Sequence, residues 1–285
     1  MECSDSALDT ALIIDVYYIR KELIMKAKEI VEYLNSFSFR EDYSETCDTF
    51  KIGSDTVDVT KVAVAMFGTP DVIRQAAEWG AELLIVHEPL YYNHFDNRTD
   101  DPVECAKAKL LEDSGISVYR FHDHPHYTIP DMIAFGELSL LGLNGEVRPS
   151  ETFDLARVHL DEPMTAKQLA KHIEDRLGIK HVRIAGSTDK PISTVSCMFG
   201  APGGLLDELK RDVCEALIAG EVCEWSLCEY ARDASQLGYT KAVLALGHVG
   251  SERAGMVYIA DLLKKQFNDV EVKYFECEEV YSYSE

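Results

Sequence analysis

Basic residues are scarce in this sequence. Its 28 lysines and arginines stand against 50 aspartates and glutamates, which gives a formal net charge of −22. Such an excess of negative charge is repelled by nucleic-acid phosphates and by anionic membrane surfaces. We therefore expect neither a nucleic acid nor a membrane among the partners of this chain.

Long apolar runs are also missing. The apolar stretch at residues 11–19 is interrupted by Asp15, and acidic rather than basic residues precede it. A membrane-spanning helix needs about 20 predominantly apolar residues, and a secretory signal begins with positive charge. We expect no membrane span and no signal peptide, and hence a cytoplasmic protein.

Several common motifs are absent as well. The glycine-rich segment 200–204 lacks the spacing and the following Lys-Ser/Thr of a P-loop, and no Gly-x-Ser-x-Gly elbow occurs. Cys223 and Cys228 lie close together among the eight cysteines, but no second close pair completes a zinc motif. A chain of this length buries a core without disulfides, so we interpret the cysteines as reduced thiols.

What the chain does contain is an alternation of short apolar runs with amphipathic segments. This alternation predicts an α/β fold with mostly parallel sheets. Helices are predicted at residues 21–37 and, after a capping box of Thr165 and Gln168, at residues 165–177. Strands are predicted at residues 61–67, 82–87, 116–122, 153–160, 181–185, 192–199, 215–219, 240–246 and 270–275.

The two halves of the chain share a weak internal repeat. The sequence MFGTP at residues 66–70 recurs as MFGAP at residues 198–202, and in each half a later strand ends in a histidine, His122 or His248. We therefore expect two related α/β domains whose sheets face each other. Since open α/β sheets bind ligands at the carboxyl ends of their strands, the site is expected between the domains.

The expected division of the chain has four parts. Residues 1–24 form an N-terminal extension, and residues 25–146 form the first α/β domain. A connecting segment with the capped helix covers residues 147–191, and residues 192–285 form the second α/β domain.

Histidines gather at the predicted strand ends. Three of them fall within residues 122–126, where an extended chain would place all three on one face. Imidazole and carboxylate ligands suit Zn, Fe, Mn or Ni, whereas Ca and Mg sites are built from oxygen. A solvated loop is the alternative interpretation. The six histidines at or just after strand ends are His87, His94, His122, His124, His126 and His248.

Two carboxylates accompany these histidines. Glu88 follows His87 at a strand end, and Glu252 follows His248 by four positions at the start of a predicted helix. A spacing of four places both side chains on one side of a helical turn. Each carboxylate also has a structural explanation, because Glu88 suits an exposed loop and Glu252 is favoured by the helix dipole.

Taken in order, these motifs resemble the Nif-three-like family of dinuclear metal-binding proteins, the GTP cyclohydrolase I type 2 homologues. The resemblance starts at about Met25 and rests on residues 48–53, 87–89, 122–126, 163–165 and 247–252, the last being the most specific. The family's usual His-His-Pro is here His-Glu-Pro, and its His-Thr-Asn-Leu-Asp is here His-Asp-His-Pro-His. Glu88 thus replaces a histidine and His126 replaces a carboxylate.

The resemblance implies a pair of α/β domains that hold two divalent metal ions (Zn, Fe, Mn or Ni) and assemble as a homohexamer. It also implies a metal-dependent hydrolase that acts on a small molecule, with a purine nucleotide as the candidate substrate. His124 or His94 is expected to move protons. The expected metal ligands are His87, Glu88, His122, His126, His248 and Glu252.

Other interpretations remain open at this point. The aromatic loop at residues 91–98 predicts stacking on a flat heterocycle, or else ordinary packing. The protein could be a non-catalytic metal-binding scaffold or a partner-binding protein rather than an enzyme. A barrel hydrolase that uses the His-x-His at residues 122–124 is a third alternative, but such folds usually place that motif on their first strand.

Overall fold

The computed structural model describes residues 25–40, 44–143, 145–148 and 155–284. The expected N-terminal extension, residues 1–24, lies outside these described residues. None of the helices in the described part combines the length and the apolar character that crossing a bilayer requires.

Every strand predicted from the sequence has a counterpart in the structure. Additional short strands lie at residues 25–26, 50–52, 58–59 and 145–148. The strands are β1 Met25–Lys26, β2 Phe50–Ile52, β3 Asp58–Val59, β4 Lys61–Ala65, β5 Leu83–Val86, β6 Ser117–Arg120, β7 Gly145–Arg148, β8 Leu155–Met164, β9 Arg183–Gly186, β10 Ile192–Met198, β11 Ala216–Ala219, β12 Ala242–Ala245 and β13 Glu271–Tyr274.

The helices pack between and around these strands. The capping box that opens the sixth helix is confirmed, because the Thr165 and Gln168 side chains each accept a hydrogen bond from the other residue's backbone N–H, at 3.2 and 2.9 Å. The helices are α1 Ala27–Asn35, α2 Pro70–Trp79, α3 Pro102–Ser114, α4 Asp123–His126, α5 Met132–Leu141, α6 Ala166–Leu177, α7 Leu205–Leu209, α8 Glu229–Gln236 and α9 His248–Gln266, with a π-helical turn at Glu224–Cys228 before α8.

Two sheets form the body of the protein, which confirms the predicted α/β class. The first sheet has the order β13-β4-β5-β6-β2, with β2 antiparallel at its edge and the other four strands parallel. The second has the order β7-β8-β10-β11-β12-β9, with β10, β11 and β12 parallel at its centre. The central strands β5 and β11 are completely buried, as their uninterrupted apolar sequences require.

The chain is shared between the sheets differently from the division expected from the sequence. The C-terminal strand β13 pairs with β4 in the first sheet, and α9 packs Met256 and Ile259 into the first core. The expected connecting segment contributes β8 and β9 to the second sheet. A parallel strand can join a sheet only through a crossover, and α9 is the crossover that returns the chain to the first sheet.

Helices α5 and α9 approach so closely that they bury a carboxyl group between them. A Cβ placed on Gly136 would lie 2.6 Å from the Gly255 Cα, so only glycine fits there. Beside this contact, Glu137 accepts a hydrogen bond from the Ala254 N–H at 2.6 Å. Its other oxygen has no hydrogen-bond partner among the described residues. Burial raises the pKa of Glu137 to about 8.

This buried carboxyl predicts a pH-dependent stability. The unfolded chain releases the Glu137 proton near the ordinary pKa of 4.5, whereas the folded chain retains it up to about pH 8, so stability falls as the pH rises between these values. Glu137→Gln should remove this loss and gain about 1–3 kcal/mol relative to the native chain between pH 5 and 8. Urea unfolding of the variant and the native chain at pH 5 and at pH 8 measures this difference in the free energy of unfolding. The exposed Glu78→Gln is the control, and equal pH profiles for the two variants would contradict the prediction.

Candidate metal centre

The first part of the site lies at the end of β5. The backbone N–H groups of His87 and Glu88 both donate to the Met66 carbonyl, at 3.2 and 3.0 Å. This shared acceptor bends the chain after the strand, so that both side chains reach the same crevice although neighbouring residues in a strand point in opposite directions. Pro89 follows and cannot donate a further ladder hydrogen bond.

The second part is the histidine cluster, which is a helical turn and not the extended segment expected from the sequence. The N–H groups of His122, Asp123 and His124 each donate to the Asp48 carboxylate at 2.8 Å, which starts α4. In this turn His122 and His126 are four positions apart and share a side, with ring centroids 5.3 Å apart. The His124 ring turns away, and its Nδ1 lies 2.7 Å from the Asp48 carboxylate.

The third part comes from the start of α9. His248 Nε2 lies 3.0 Å from Glu88 Oε1 and 3.2 Å from Glu252 Oε2. The first sheet therefore supplies His87 and Glu88, and α9 supplies His248 and Glu252. The six residues expected to be ligands thus surround one crevice.

Each of the four histidines in this crevice has its Nδ1 held by an oxygen acceptor, which leaves Nε2 to face its neighbours. This is the arrangement in which proteins orient metal-binding imidazoles. The pairs are His87 with the Phe121 carbonyl at 2.9 Å, His122 with Asp123 at 2.9 Å, His126 with Asp131 at 2.7 Å and His248 with Glu221 at 2.7 Å. Asp131 and Glu221 were not among the site residues expected from the sequence, although Glu221 occupies the position of Glu88 in the internal repeat.

Two buried polar atoms lie opposite each other without hydrogen-bond partners among the described residues. They are His87 Nε2 and Glu252 Oε2, which are 3.6 Å apart. Burial lowers the pKa of His87 to about 4, so the imidazole is neutral and its Nε2 lone pair is free. A buried carboxylate oxygen that accepts no hydrogen bond is unfavourable, even with the His248 imidazole 3.2 Å away. A cation between these two atoms would satisfy both.

The remaining groups favour positive charge at the same place. Burial by itself would raise the pKa of Glu88, but the hydrogen bond with His248 and the nearby imidazoles hold it well below its usual range. Burial by itself would lower the pKa of His248, but its contacts with Glu252 and Glu88 raise it to about 11. The space between the two carboxylates is therefore suited to a cation.

A buried arginine supports Glu88 from behind. Arg120, at the end of β6, is 1% exposed, and its Nη2 lies 3.8 Å from Glu88 Oε2. Its Nε donates to the His87 carbonyl at 3.1 Å, and its Nη1 lies 3.4 Å from the Asp96 carboxylate. The Glu88 carboxylate thus has a positive charge beside it. The sequence patterns did not single out Arg120.

The geometry defines groups that could hold a metal ion. Two of them share His87 and together use five of the expected ligands, with the ligand atoms of each group within 4.8 Å of one another. His248 joins them through Glu88 and Glu252. The groups are His87–His122–His126 and His87–Glu88–Glu252, and a third, Cys47–His94–Asp123, was not foreseen. The seven cysteines in the described part of the chain are unbridged.

The crevice opens into a pocket of about 470 Å³ between the two sheets. His94 lines this pocket, whereas His124 does not. His94 is the one residue of the aromatic loop 91–98 that lines the pocket, so the tyrosine and phenylalanine rings of this loop do not line the site. Aromatic rings reach the pocket instead from Tyr127 and Phe199.

Comparison with known proteins identifies the family. Residues 25–280 match the family model described as Duf34/NIF3 (NGG1p interacting factor 3). The chain belongs to the DUF34/NIF3 family. The match begins at Met25, where the sequence motifs begin, and the predicted resemblance is confirmed.

Curated relatives and solved structures of this family cover most of the chain. A GTP cyclohydrolase 1 type 2 homolog of Clostridium perfringens is 24% identical over 252 residues, which are 85% of this chain and 92% of that protein. One from Clostridium acetobutylicum is 22% identical over 250 residues, 84% of this chain and 90% of the relative. A Bacillus cereus protein related to NIF3 superposes with a TM-score of 0.76 at 16% identity, covering 92% of this chain and all of its own. This structure supports the fold.

Proposed function

We propose that this protein is a hydrolase that binds two divalent transition-metal ions in the crevice and acts on a small molecule. The observation that carries the proposal is the buried pair of His87 Nε2 and Glu252 Oε2, which lie 3.6 Å apart and make no hydrogen bond among the described residues. Neutral imidazole and carboxylate together suit Zn, Fe, Mn or Ni. The relatives' name suggests a purine nucleotide as the substrate.

The number of ions is proposed from the ligand count. Six side chains are too many for one tetrahedral ion and suit two ions that share a bridge. Glu88 would help to hold the ions, because its Oε1 lies within 4.0 Å of Nε2 of three histidines, at 4.0, 3.8 and 3.0 Å. These histidines are His87, His122 and His248.

The chemistry divides between the metal ions and the side chains. When bound, the ions would act as Lewis acids and lower the pKa of water at the site. Tyr127 and Phe199 line the pocket and would contact a flat substrate. His94 is the better candidate for moving protons, because it lines the pocket whereas His124 is held against Asp48. A homohexameric assembly, as the family resemblance implies, is part of this proposal and is tested by light scattering.

Metal analysis tests the proposal directly. Protein purified without chelators should contain about two equivalents of transition metal per chain. His248→Ala and Glu252→Ala should each lose most of one equivalent, whereas the exposed His159→Ala should lose none. Plasma mass spectrometry gives the metal content, and circular dichroism confirms the fold. Full metal content in both site variants would place the metal elsewhere.

An activity assay distinguishes a hydrolase from a non-catalytic metal-binding scaffold. The Mn, Fe and Zn forms should hydrolyse at least one member of a purine nucleotide panel, and Glu252→Ala should abolish the activity. A chain with two bound equivalents and no turnover on any substrate would be a metal-binding scaffold, and the hydrolase proposal would then be rejected.

A further inference from the structure

A second pocket, of about 520 Å³, lies on the other side of His248 from the metal centre. Its walls are the loop after α6, the turn between β12 and α9, and the C-terminal segment after β13. His248 lines both pockets. No role in the proposed hydrolysis accounts for this cavity.

Positive side chains line this second pocket in a strongly acidic protein. Arg253 and Arg183 both face it, and each is paired with a glutamate. Lys180 also faces it and has no ion-pair partner among the residues that the structure describes. In a chain with a net charge of −22, an unpaired lysine beside two arginines favours an anionic ligand.

Aromatic rings occupy the rim of the same pocket. Tyr281 and Tyr283 remain 68% and 52% exposed at its edge, and Phe67 lines its wall. The ring centroids of Tyr283 and His181 lie 4.2 Å apart. The backbone of His181 has a left-handed φ of +62°. Exposed rings with a polar end commonly form the contact surface for planar ligands.

Two carboxylates, Glu279 and Glu221, also line the pocket, and each has a local contact. Glu279 lies over the first turn of α9, since a Cβ on Gly250 would be 3.6 Å from its Oε1. A negative charge at that position is favoured by the helix dipole. Glu221 is engaged with His248 at 2.7 Å.

Glu221 also connects this pocket to the metal centre. Its carboxylate lines the second pocket and holds His248 Nδ1, while Nε2 of the same ring faces Glu88 and Glu252 at 3.0 and 3.2 Å. Glu221 already holds Nδ1 in the metal-free chain. A divalent ion on Nε2 would add positive charge to the ring that Glu221 holds between the two sites, and this charge would favour an anion in the second pocket.

We propose that the second pocket binds a small anion carried on a planar ring, and that metal binding strengthens this interaction through His248 and Glu221. The proposed binding of an anion depends only on the residues that line the second pocket. The coupling rests on the proposed function of the metal centre.

Binding is tested by calorimetric titration with two probes, adenosine 5′-monophosphate and benzoate, which distinguish a nucleotide from a simple aromatic acid. At least one should bind saturably, and the exposed Lys180→Glu should weaken it about tenfold or more. Lys265→Glu, at the far end of α9, is the charge-matched control and should bind as the native chain does. Binding of neither probe, or equal binding by both variants, would overturn the proposal.

Coupling is tested by repeating the titration with and without saturating Mn²⁺. Metal should tighten probe binding about fivefold or more, and by linkage the probe should tighten metal binding by the same factor. Glu221→Ala should reduce the factor to one, and an unchanged factor would overturn the coupling. His87→Ala, which damages only the metal centre, should retain probe binding. If it abolishes binding while Lys180→Glu does not, the probe occupies the metal centre, which overturns this inference and leaves the proposed function standing.

Discussion

Gly200→Ala is expected to weaken metal binding about 10- to 100-fold, the range found when groups around metal ligands are changed. Gly200 follows β10 with a left-handed φ of +67°, and a Cβ there would lie 2.2 Å from Glu252 Oε1. The Glu252 side chain is buried and must move to relieve this contact. The new methyl group thus removes the carboxylate from its position while leaving its chemistry intact.

A second glycine of the same loop provides the control. Gly203 has no atom within 4 Å of its would-be Cβ and no positive φ, so Gly203→Ala should bind metal as the native chain does. Competition with a chelator measures both affinities, and thermal unfolding reports the strain at Gly200, about 1–2 kcal/mol. Equal metal affinity in the two variants would show that the Glu252 carboxylate does not bind metal.

Arg120→Met is expected to destabilise the protein by about 3–5 kcal/mol, the loss typical when one partner of a buried ion pair is removed. The guanidinium lies against Glu88 and Asp96, and Lys51 remains as a cation for Asp96, at 3.2 Å. Among the described residues, Glu88 would lose its one arginine contact and would depend on His248 alone for a close side-chain hydrogen bond.

Urea unfolding of the metal-free chain measures this effect. The comparison is Lys171→Met, which breaks an exposed pair with Asp175 on α6 and should change stability by no more than about 0.5 kcal/mol. A similar small loss for Arg120→Met would mean that its buried contacts add little net stability. The role assigned to Arg120 beside Glu88 would then be wrong.

The sequence by itself determined the elements and the neighbourhood of the site. Apolar periodicity and capping residues act within a few positions of the chain, so the strands and the start of α6 at Thr165 were predictable. His87, His122 and His248 were expected to meet because each follows a strand or opens the next helix. Parallel strands place such ends at one edge of a sheet.

Tertiary contacts decided the rest, because they join residues that no local pattern relates. Asp48 turns residues 122–126 into a helix from 74 positions away, and the contact between Glu88 and His248 spans 160 positions. The membership of β13 in the first sheet likewise depends on a strand more than 200 residues earlier. The turn conformation, the partners of each imidazole and the second pocket follow from these long-range contacts, since the free energy of each is set by packing and charge in the folded chain.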